Sequence, residues 1–231
     1  FEIYLYLDNQ IEDENTNEFK ILAKKTINIF KLKDIEAFNL IRENEIDIMF
    51  DISGMSSINR ISLFKNRLAP KQISWLAYCN TSGLDNMDYL IADKNLIHKA
   101  EENDYSEKII YLPNIWNCHS GLSSERSESD TPCLKEKNIT FGSFNNFNKI
   151  NDRVIFVWSR ILQKVKNSKL ILKSSLKMNR NYLKKEFEKK GVIDSIIFLE
   201  KRKLESHYNL YKKIDIALDT FPYNGVTTSF E

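Results

Sequence analysis

The Asn-rich loop that contains Lys149 is well suited to binding an anion. It follows the β-branched and aromatic segment Ile139–Phe141, carries Gly142, and ends just before Asn151 and Asp152, two good candidates for a helix N-cap. Open α/β sheets bind phosphates where a strand leads through such a loop into a helix, because backbone N–H groups point outwards there. A lysine adds a full positive charge. The pattern predicts a phosphate site, and a solvated lysine beside a capping loop is the structural alternative.

The end of the sequence offers a second group of anion-binding residues. An apolar strand, Ile214–Leu218, is followed by a loop that contains Gly225. Thr227 and Thr228 then begin a predicted helix, where their hydroxyls and the backbone N–H groups can bind phosphate oxygens. The alternative is an ordinary helix start, in which Glu231 complements the helix dipole.

Strands that alternate with helices must position these loops. In the first half the predicted strands are Phe1–Leu7, Ile46–Phe50 (a buried strand), Ile73–Tyr78, Tyr89–Ala92 and Lys108–Leu112. The predicted helices are Asn15–Phe30, Ile35–Arg42 and a segment that runs from the turn Ser53–Ser56 to Pro70. This alternation is typical of a parallel sheet with helices on both faces.

The second half shows the same alternation. Its predicted strands are Ile139–Phe141, Lys169–Leu172, Ser195–Phe198 and Ile214–Leu218, and its predicted helices are Val154–Lys166, Asn181–Lys190 and Glu205–Lys212. In the first of these helices the residues at helical spacing predict one apolar face, formed by Val154, Trp158, Ile161, Leu162 and Val165. Between the halves, residues 114–137 are rich in Ser, Glu, Asn and Pro and have no apolar period, which predicts a linker. The predicted organisation is therefore residues 1–113, a linker over 114–137, and residues 138–231.

Composition and charge narrow the class of protein. A hydrophobic content of 42% with 29% charged residues is typical of globular proteins, and no apolar run approaches the ~20 residues of a bilayer span. The three cysteines show no CxxC spacing, which predicts reduced thiols and a cytoplasmic location. Residues 138–231 carry 18 basic and 9 acidic side chains, against 16 and 23 in residues 1–137. A basic half suits an anionic ligand such as a nucleotide diphosphate, with nucleic acid as the competing interpretation.

Three segments resemble motifs of one enzyme family. Phe141–Ile150 (FGSFNNFNKI) is similar to the FGSFNNxxKI signature of the O-GlcNAc transferase and SPINDLY family of glycosyltransferases. Arg67–Gly83 (RLAPKQISWLAYCNTSG) resembles the family's RPAPxQxxWxGYxxTTG segment, and Asp215–Glu231 (DIALDTFPYNGVTTSFE) resembles its DIxLDTFPYNGxTTxxE segment. Chance is a poor explanation, because the three motifs occur in the family's order.

The resemblance implies a GT-B-like α/β fold of two Rossmann-like lobes with a cleft between them. Residues 1–113 then belong to the lobe on the sugar and acceptor side, and residues 138–231 to the nucleotide-binding lobe. Both lobes are expected to be incomplete, since the family's catalytic histidines lie upstream of Phe1 and its last strands downstream of Glu231. The fragment alone is therefore expected to be inactive.

The resemblance also implies roles for individual residues. Lys149, which matches a lysine on the donor diphosphate, and Arg60, which matches an arginine facing the active site, are the expected catalytic residues. The expected donor-binding residues are Asn146, Lys149, His207, Thr227, Thr228 and Glu231, with Glu231 on the ribose hydroxyls. The expected sugar-side residues are Gly54, Ala77 and Tyr78.

The implied reaction is transfer of GlcNAc from UDP-GlcNAc to Ser or Thr hydroxyls of proteins. Protein O-fucosylation from GDP-fucose is one alternative, and a non-catalytic nucleotide-sugar-binding or interaction module is another. The family works without a metal or cofactor. Its members carry helical repeats of the TPR type upstream, and the expected partners are a nucleotide sugar and protein acceptors, not nucleic acid or membrane.

Overall fold

Parallel strand pairing organises both halves of the chain. The computed structural model describes residues 1–56, 59–119, 130–173, 177–200 and 209–231, which fall into two compact units, Phe1–Cys118 and His119–Glu231. Every strand pairing within these described ranges is parallel. Parallel strands require crossover connections, and helices supply several of them. The predicted α/β class is confirmed.

The first unit contains two sheets. In the smaller one, β1 (Tyr4–Leu7) pairs with β2 (Lys25–Asn28), and α1 (Glu14–Leu22) connects them. A further helix, α2 (Asp34–Glu43), leads to the larger sheet. That sheet has the order β3-β4-β5-β6, and its strands are Ile48–Asp51, Lys71–Ser74, Tyr89–Ala92 and Lys108–Tyr111.

The prediction of one long helix over Asn15–Phe30 is wrong in its second part. Helix α1 is capped by Asp13, whose side chain accepts the N–H of Thr16, but it ends at Leu22. The residues that follow, Lys25–Asn28, form β2 in register with β1. Pairing with another strand satisfies their backbone groups, and this non-local contact outweighs the local helix pattern.

The segment before Pro70 also differs from the prediction. In place of an α-helix, its described residues contain a short 3₁₀ helix, Ile61–Lys65. Leu63 of this helix is buried, so the apolar residues that suggested an amphipathic helix are core residues of a largely irregular segment. Ile58, which was part of the predicted helix, lies outside the described residues.

The second unit is a four-stranded sheet with helices between its strands. The strand order is β10-β7-β8-β9, and the bounds are β7 (Thr140–Ser143), β8 (Lys169–Lys173), β9 (Ile196–Leu199) and β10 (Ile216–Ala217). The helices with both ends among the described residues are α3 (Cys133–Glu136), α4 (Asp152–Lys164), α5 (Lys177–Lys189) and α6 (Thr227–Phe230). Residues 209–211 are also helical, and the start of the helix predicted over Glu205–Lys212 lies outside the described residues. Among the described helices, none is long and apolar enough to cross a membrane.

Helix α4 supplies the centre of the second unit's core. Its side chains Val154, Trp158 and Leu162 are buried at the spacing that the sequence predicts for one helix face. They pack with Leu170 of β8 and Phe187 of α5 in one hydrophobic cluster. Each fully buried side chain of this size contributes roughly 1.5–3 kcal/mol, so α4 is fixed firmly against the sheet and its N-terminal loop is held with it.

Two strands of apolar composition, one of them predicted to be buried, lie at edges of their sheets. Strand β3 is one, with Ile48 and Phe50 exposed, which corrects the prediction of a buried strand over Ile46–Phe50. Strand β10 is the other, and Ile216 is exposed there.

Candidate functional site

The loop after β7 is shaped by two successive caps. Asn146 caps the 3₁₀ helix Phe147–Lys149, and its side chain accepts the N–H of Asn148 at 3.0 Å. Asn151 caps α4 by accepting two backbone N–H groups, each at 3.0 Å. Of the two N-cap candidates, Asn151 is the cap and Asp152 is the first residue of α4. Lys149 stands two residues before the cap.

Lys149 is held by the loop that follows β10. Its Nζ donates a hydrogen bond to the backbone oxygen of Asn224 at 2.8 Å and lies 4.6 Å from the ring centroid of Tyr223. A carbonyl oxygen and the face of an aromatic ring both favour a cation. The ammonium group is thus positioned by residues 75 positions further along the chain.

The carboxylate of Asp219 organises the same loop through hydrogen bonds. Its Oδ1 accepts the side-chain amide of Asn145 at 3.0 Å and the backbone N–H groups of Thr220 and Gly225, both at 2.7 Å. Its Oδ2 accepts the hydroxyl of Ser229 at 3.0 Å. One carboxylate therefore joins the loop after β7, the loop after β10 and helix α6.

Gly225 permits this close arrangement. A Cβ at that position would lie 2.5 Å from Oγ of Ser229 and 2.8 Å from Oδ1 of Asn145, closer than any side chain tolerates. Asn145 is buried, whereas Asn146 is exposed. The sequence analysis selected Asn146 and missed Asn145 and Asp219. Both missed residues stand inside the motifs, Asn145 directly before the selected Asn146, and their polar types are the signal that was available.

Tyr211 connects the remaining residues of the second unit's site. Its hydroxyl lies 2.9 Å from Oε2 of Glu231 and 3.2 Å from the backbone oxygen of Thr228. Its ring packs edge-on against Phe144 in the loop after β7, with 4.8 Å between centroids. Thr227 is the first residue of α6. His207, the other predicted donor-binding residue, lies outside the described residues.

Neighbouring parallel strands explain why these residues meet. Strands β7 and β10 pair in parallel, so the loops at their carboxyl ends leave the same edge of the sheet. Asn146 and Lys149 lie in the first loop, and Thr227 follows the second. The hydrogen bond between Lys149 and Asn224 joins the two loops directly. Ligands of open α/β sheets bind at this edge.

In the first unit, the predicted sugar-side residues Gly54 and Tyr78 are in close contact. Gly54 has φ +53°, and a Cβ on it would lie 2.2 Å from Cβ of Tyr78. Asp51, the last residue of β3, accepts the N–H groups of Ser53 at 3.0 Å and Gly54 at 3.1 Å. The loop after β3 is therefore fixed by the buried carboxyl group of Asp51 and packs against Tyr78, four residues after the end of β4.

The strand predicted over Ile73–Tyr78 ends earlier than expected, at Ser74. Leu76 adopts φ +79°, a left-handed conformation that costs a non-glycine residue roughly 1–2 kcal/mol and turns the chain out of the sheet. Ala77 is exposed in this turn, and its N–H donates to the backbone oxygen of Trp75 at 3.1 Å. Ala77 and Tyr78 thus belong to a turn beyond the strand.

The structure places Arg60 against the segment that follows β2. Its Nη2 donates to the backbone oxygens of Ile29 at 3.2 Å and Leu32 at 2.7 Å. Its Nη1 lies 3.3 Å from Oδ1 of Asp34, which forms an ion pair. These contacts give Arg60 a structural role within the first unit, and its catalytic role stays a prediction.

Asp51 is expected to make stability depend on pH. Burial raises the pKa of Asp51 above its ordinary value of 3.8, although the N–H groups of Ser53 and Gly54 partly oppose the shift. The native state therefore holds the proton more tightly than the unfolded state, and ionisation costs native stability as pH rises. We expect Asp51→Asn to gain stability relative to wild type from about pH 4 upwards, levelling off above the folded-state pKa.

Urea unfolding of both proteins between pH 3 and pH 8 measures this difference. Asp47→Asn, which removes the same charge at an exposed position just before β3, is the control. A difference between wild type and Asp51→Asn that stays constant across the range would contradict the assignment.

No metal centre is formed by the described residues, in which no group of three or more His, Cys, Asp or Glu side chains could hold an ion. The arrangement that the second unit offers is instead a lysine, two hydroxyls and a carboxylate around two loops at one sheet edge. The chemistry that suits these groups is binding of a phosphorylated, hydroxyl-bearing ligand.

Comparison with known proteins adds independent information. The protein-family model described as glycosyl transferase family 41 matches residues 1–121 and 124–231 of this sequence. The chain is 34% identical over 240 residues to a protein of Eustoma exaltatum subsp. russellianum named "Probable UDP-N-acetylglucosamine--peptide N-acetylglucosaminyltransferase SPINDLY". That alignment covers 100% of this chain and 26% of the relative, so the chain spans about a quarter of its length.

Solved structures agree with the family match. A mutant of Thermobaculum terrenum O-GlcNAc transferase superposes with a TM-score of 0.89 at 28% identity, covering 99% of this chain and 44% of that one. The lipopolysaccharide outer core galactosyltransferase WaaB superposes with a TM-score of 0.56 at 12% identity, covering 95% of this chain and 64% of that one, and shows likeness of fold alone. These neighbours confirm the predicted GT-B fold class.

Proposed function

Because this chain belongs to glycosyl transferase family 41, we propose that its protein transfers GlcNAc from UDP-GlcNAc to Ser or Thr hydroxyls of proteins. The observation that carries the proposal is the position of Lys149. Its Nζ is held at the carboxyl edge of the second sheet, in contact with the loop that leads to Thr227 and Thr228. That is where a donor diphosphate binds in an open α/β fold.

The proposed chemistry explains why a lysine is needed there. When the bond between the sugar and the diphosphate breaks, negative charge develops on the leaving nucleotide. A fixed ammonium group stabilises that charge more strongly in the transition state than in the bound donor. Thr227 and Thr228 would bind phosphate oxygens, and Glu231, oriented by the hydroxyl of Tyr211, would accept the ribose hydroxyls. The proposed donor-binding set also includes Asn146 and His207.

The proposal is tested with the full-length protein and two radiolabelled donors, UDP-GlcNAc and GDP-fucose, on a mixture of protein acceptors. We expect label from UDP-GlcNAc to enter protein and to be released by alkaline β-elimination, which marks a bond to Ser or Thr. Label from GDP-fucose alone would assign the protein as an O-fucosyltransferase. Binding of UDP without transfer from either donor would identify a non-catalytic nucleotide-sugar-binding module.

The remaining parts of the proposal concern the setting of the reaction. We propose that transfer needs neither a metal nor a cofactor, and that TPR-type repeats accompany this domain in the full protein and present acceptor proteins to it. We also propose a cytoplasmic location without nucleic-acid or membrane partners. The absence of CxxC spacing among Cys79, Cys118 and Cys133 supports this location, because reducing compartments keep thiols reduced.

A further inference from the structure

One carboxylate sits at the centre of the loop that holds Lys149. Asp219 accepts four hydrogen bonds, three at Oδ1 and one at Oδ2, from Asn145, Thr220, Gly225 and Ser229. Carboxylates that accept several N–H groups bind them more strongly than neutral acceptors do. The family resemblance and the sequence analysis assign no role to Asp219, and the structure shows that it fixes the loop's conformation.

A single peptide group, the one between Asn224 and Gly225, connects Asp219 to Lys149. Its N–H donates to Oδ1 of Asp219 at 2.7 Å, and its C=O accepts from Nζ of Lys149 at 2.8 Å. The N–H and C=O of a trans peptide point in opposite directions within one plane. Asp219 and Lys149 therefore bind opposite sides of the same rigid plane, and the orientation set by Asp219 determines where the Lys149 ammonium can be held.

We propose that Asp219 is a positioning residue that acts through the Asn224–Gly225 peptide to place Nζ of Lys149 at the donor diphosphate. The inference rests on the proposed function for its consequence in catalysis. Its structural part, control of Lys149 by Asp219, does not depend on which donor is used. Hydrogen bonding of the N–H to a carboxylate also polarises the peptide, which makes its oxygen a better acceptor for the ammonium group.

Three variants test whether Asp219 acts by accepting hydrogen bonds or only by its negative charge. Asp219→Ala removes all four acceptor contacts. Asp219→Asn keeps one oxygen for the three donors at Oδ1, and its amide group can donate to the hydroxyl of Ser229. Ser229→Ala removes the contact at Oδ2 only and leaves the peptide plane held. We expect the alanine variant at Asp219 to release Lys149 and the other two to retain it.

Chemical labelling measures this release without any donor. Full-length protein is treated with a limiting amount of an acetylating reagent, and mass spectrometry compares labelling of Lys149 with labelling of the exposed Lys185. Because an amine held in a hydrogen bond is less reactive, we expect Asp219→Ala to raise the Lys149 rate about fivefold or more, and Asp219→Asn and Ser229→Ala to change it less than about twofold. Equal Lys149 rates in wild type and folded Asp219→Ala would overturn the proposal.

A second variant covers the case in which Asp219→Ala does not fold. Asp219→Glu keeps the charge but moves the oxygens by about one bond length, so we expect it to raise Lys149 labelling as well. If Asp219→Glu folds and leaves labelling unchanged, Asp219 does not control Lys149 and the proposal fails.

A double-mutant cycle tests the catalytic consequence. Misplacement of a catalytic group by about 1 Å can cost 10²-fold in rate, so we expect Asp219→Ala to lower kcat at least tenfold with little change in KM. In the Lys149→Ala background, the same substitution should cost less than about threefold, because Lys149 is no longer there to be misplaced. Independent, multiplicative losses would show that Asp219 does not act through Lys149.

Absence of transfer in wild type would count against the proposed function, and the labelling result would still decide the role of Asp219.

Discussion

Lys149→Ala is expected to lower the single-turnover rate of sugar transfer by about 10²–10³-fold, which corresponds to roughly 3–4 kcal/mol of lost transition-state stabilisation. The ammonium group is fixed by Asn224 and the ring of Tyr223, so it needs no reorganisation as charge develops on the leaving diphosphate. Nucleotide affinity is expected to fall much less, because the ground-state diphosphate gains less from the lysine than the transition state does. Rapid-quench measurement of transfer, beside calorimetric titration with UDP, separates the two effects.

Lys185→Ala is the matched control for this variant. Lys185 lies on α5 of the same unit and is exposed, so its removal changes the net charge by the same amount without touching the site. We expect its transfer rate to remain within about twofold of wild type. Unchanged transfer in Lys149→Ala would remove this lysine from the mechanism, and an equal loss in both variants would indicate a general effect of charge.

Gly54→Ala is expected to destabilise the first unit by about 2–5 kcal/mol. The left-handed φ of +53° accounts for roughly 1–2 kcal/mol of this, because a Cβ is unfavourable in that conformation. The remainder comes from overlap, since the new methyl group would lie 2.2 Å from Cβ of Tyr78 and one of the two loops must move. Urea unfolding, followed through the fluorescence of Trp75 and Trp116 in that unit, measures the change.

Gly83→Ala separates backbone strain from overlap. Gly83 has a similar φ of +67°, but no atom lies within 4 Å of the position that a Cβ would take. We expect this variant to lose about 1–2 kcal/mol, which is the strain alone. If the two alanine variants were equally stable, the close packing of Gly54 against Tyr78 would not be a feature of the native protein.

The sequence was most informative where the determining contacts are local. The cap at Asn151 and the buried face of α4 follow from residues a few positions apart, and both predictions are confirmed. Helix α2 was predicted for the same reason. Strands β5 and β6 were also placed correctly, because short runs of apolar and aromatic residues bounded by turns usually form strands in an α/β chain.

The sequence was misleading where a local pattern competes with a distant partner. Lys25–Asn28 continues a helical pattern but forms a strand, because β1 offers backbone partners that a helix end does not. The segment that contains Ile61–Lys65 has apolar residues at helical spacing, yet burial against neighbouring elements, not a continuous helix, fixes most of it. The strand predicted to end at Tyr78 is interrupted by the left-handed conformation of Leu76. A leucine in the sequence does not indicate such a backbone conformation.

For this protein, the sequence by itself determined the class of fold, the family and the two loops that carry the candidate site. It did so because motif residues and strand order are recorded directly in the chain. Only the tertiary structure decided which residues of the two loops form hydrogen bonds with each other. Lys149 meets Asn224 across 75 residues, and Asp219 meets Asn145 across 74. Such contacts depend on β7 and β10 pairing side by side, and no local pattern specifies the distance between atoms that this pairing brings together.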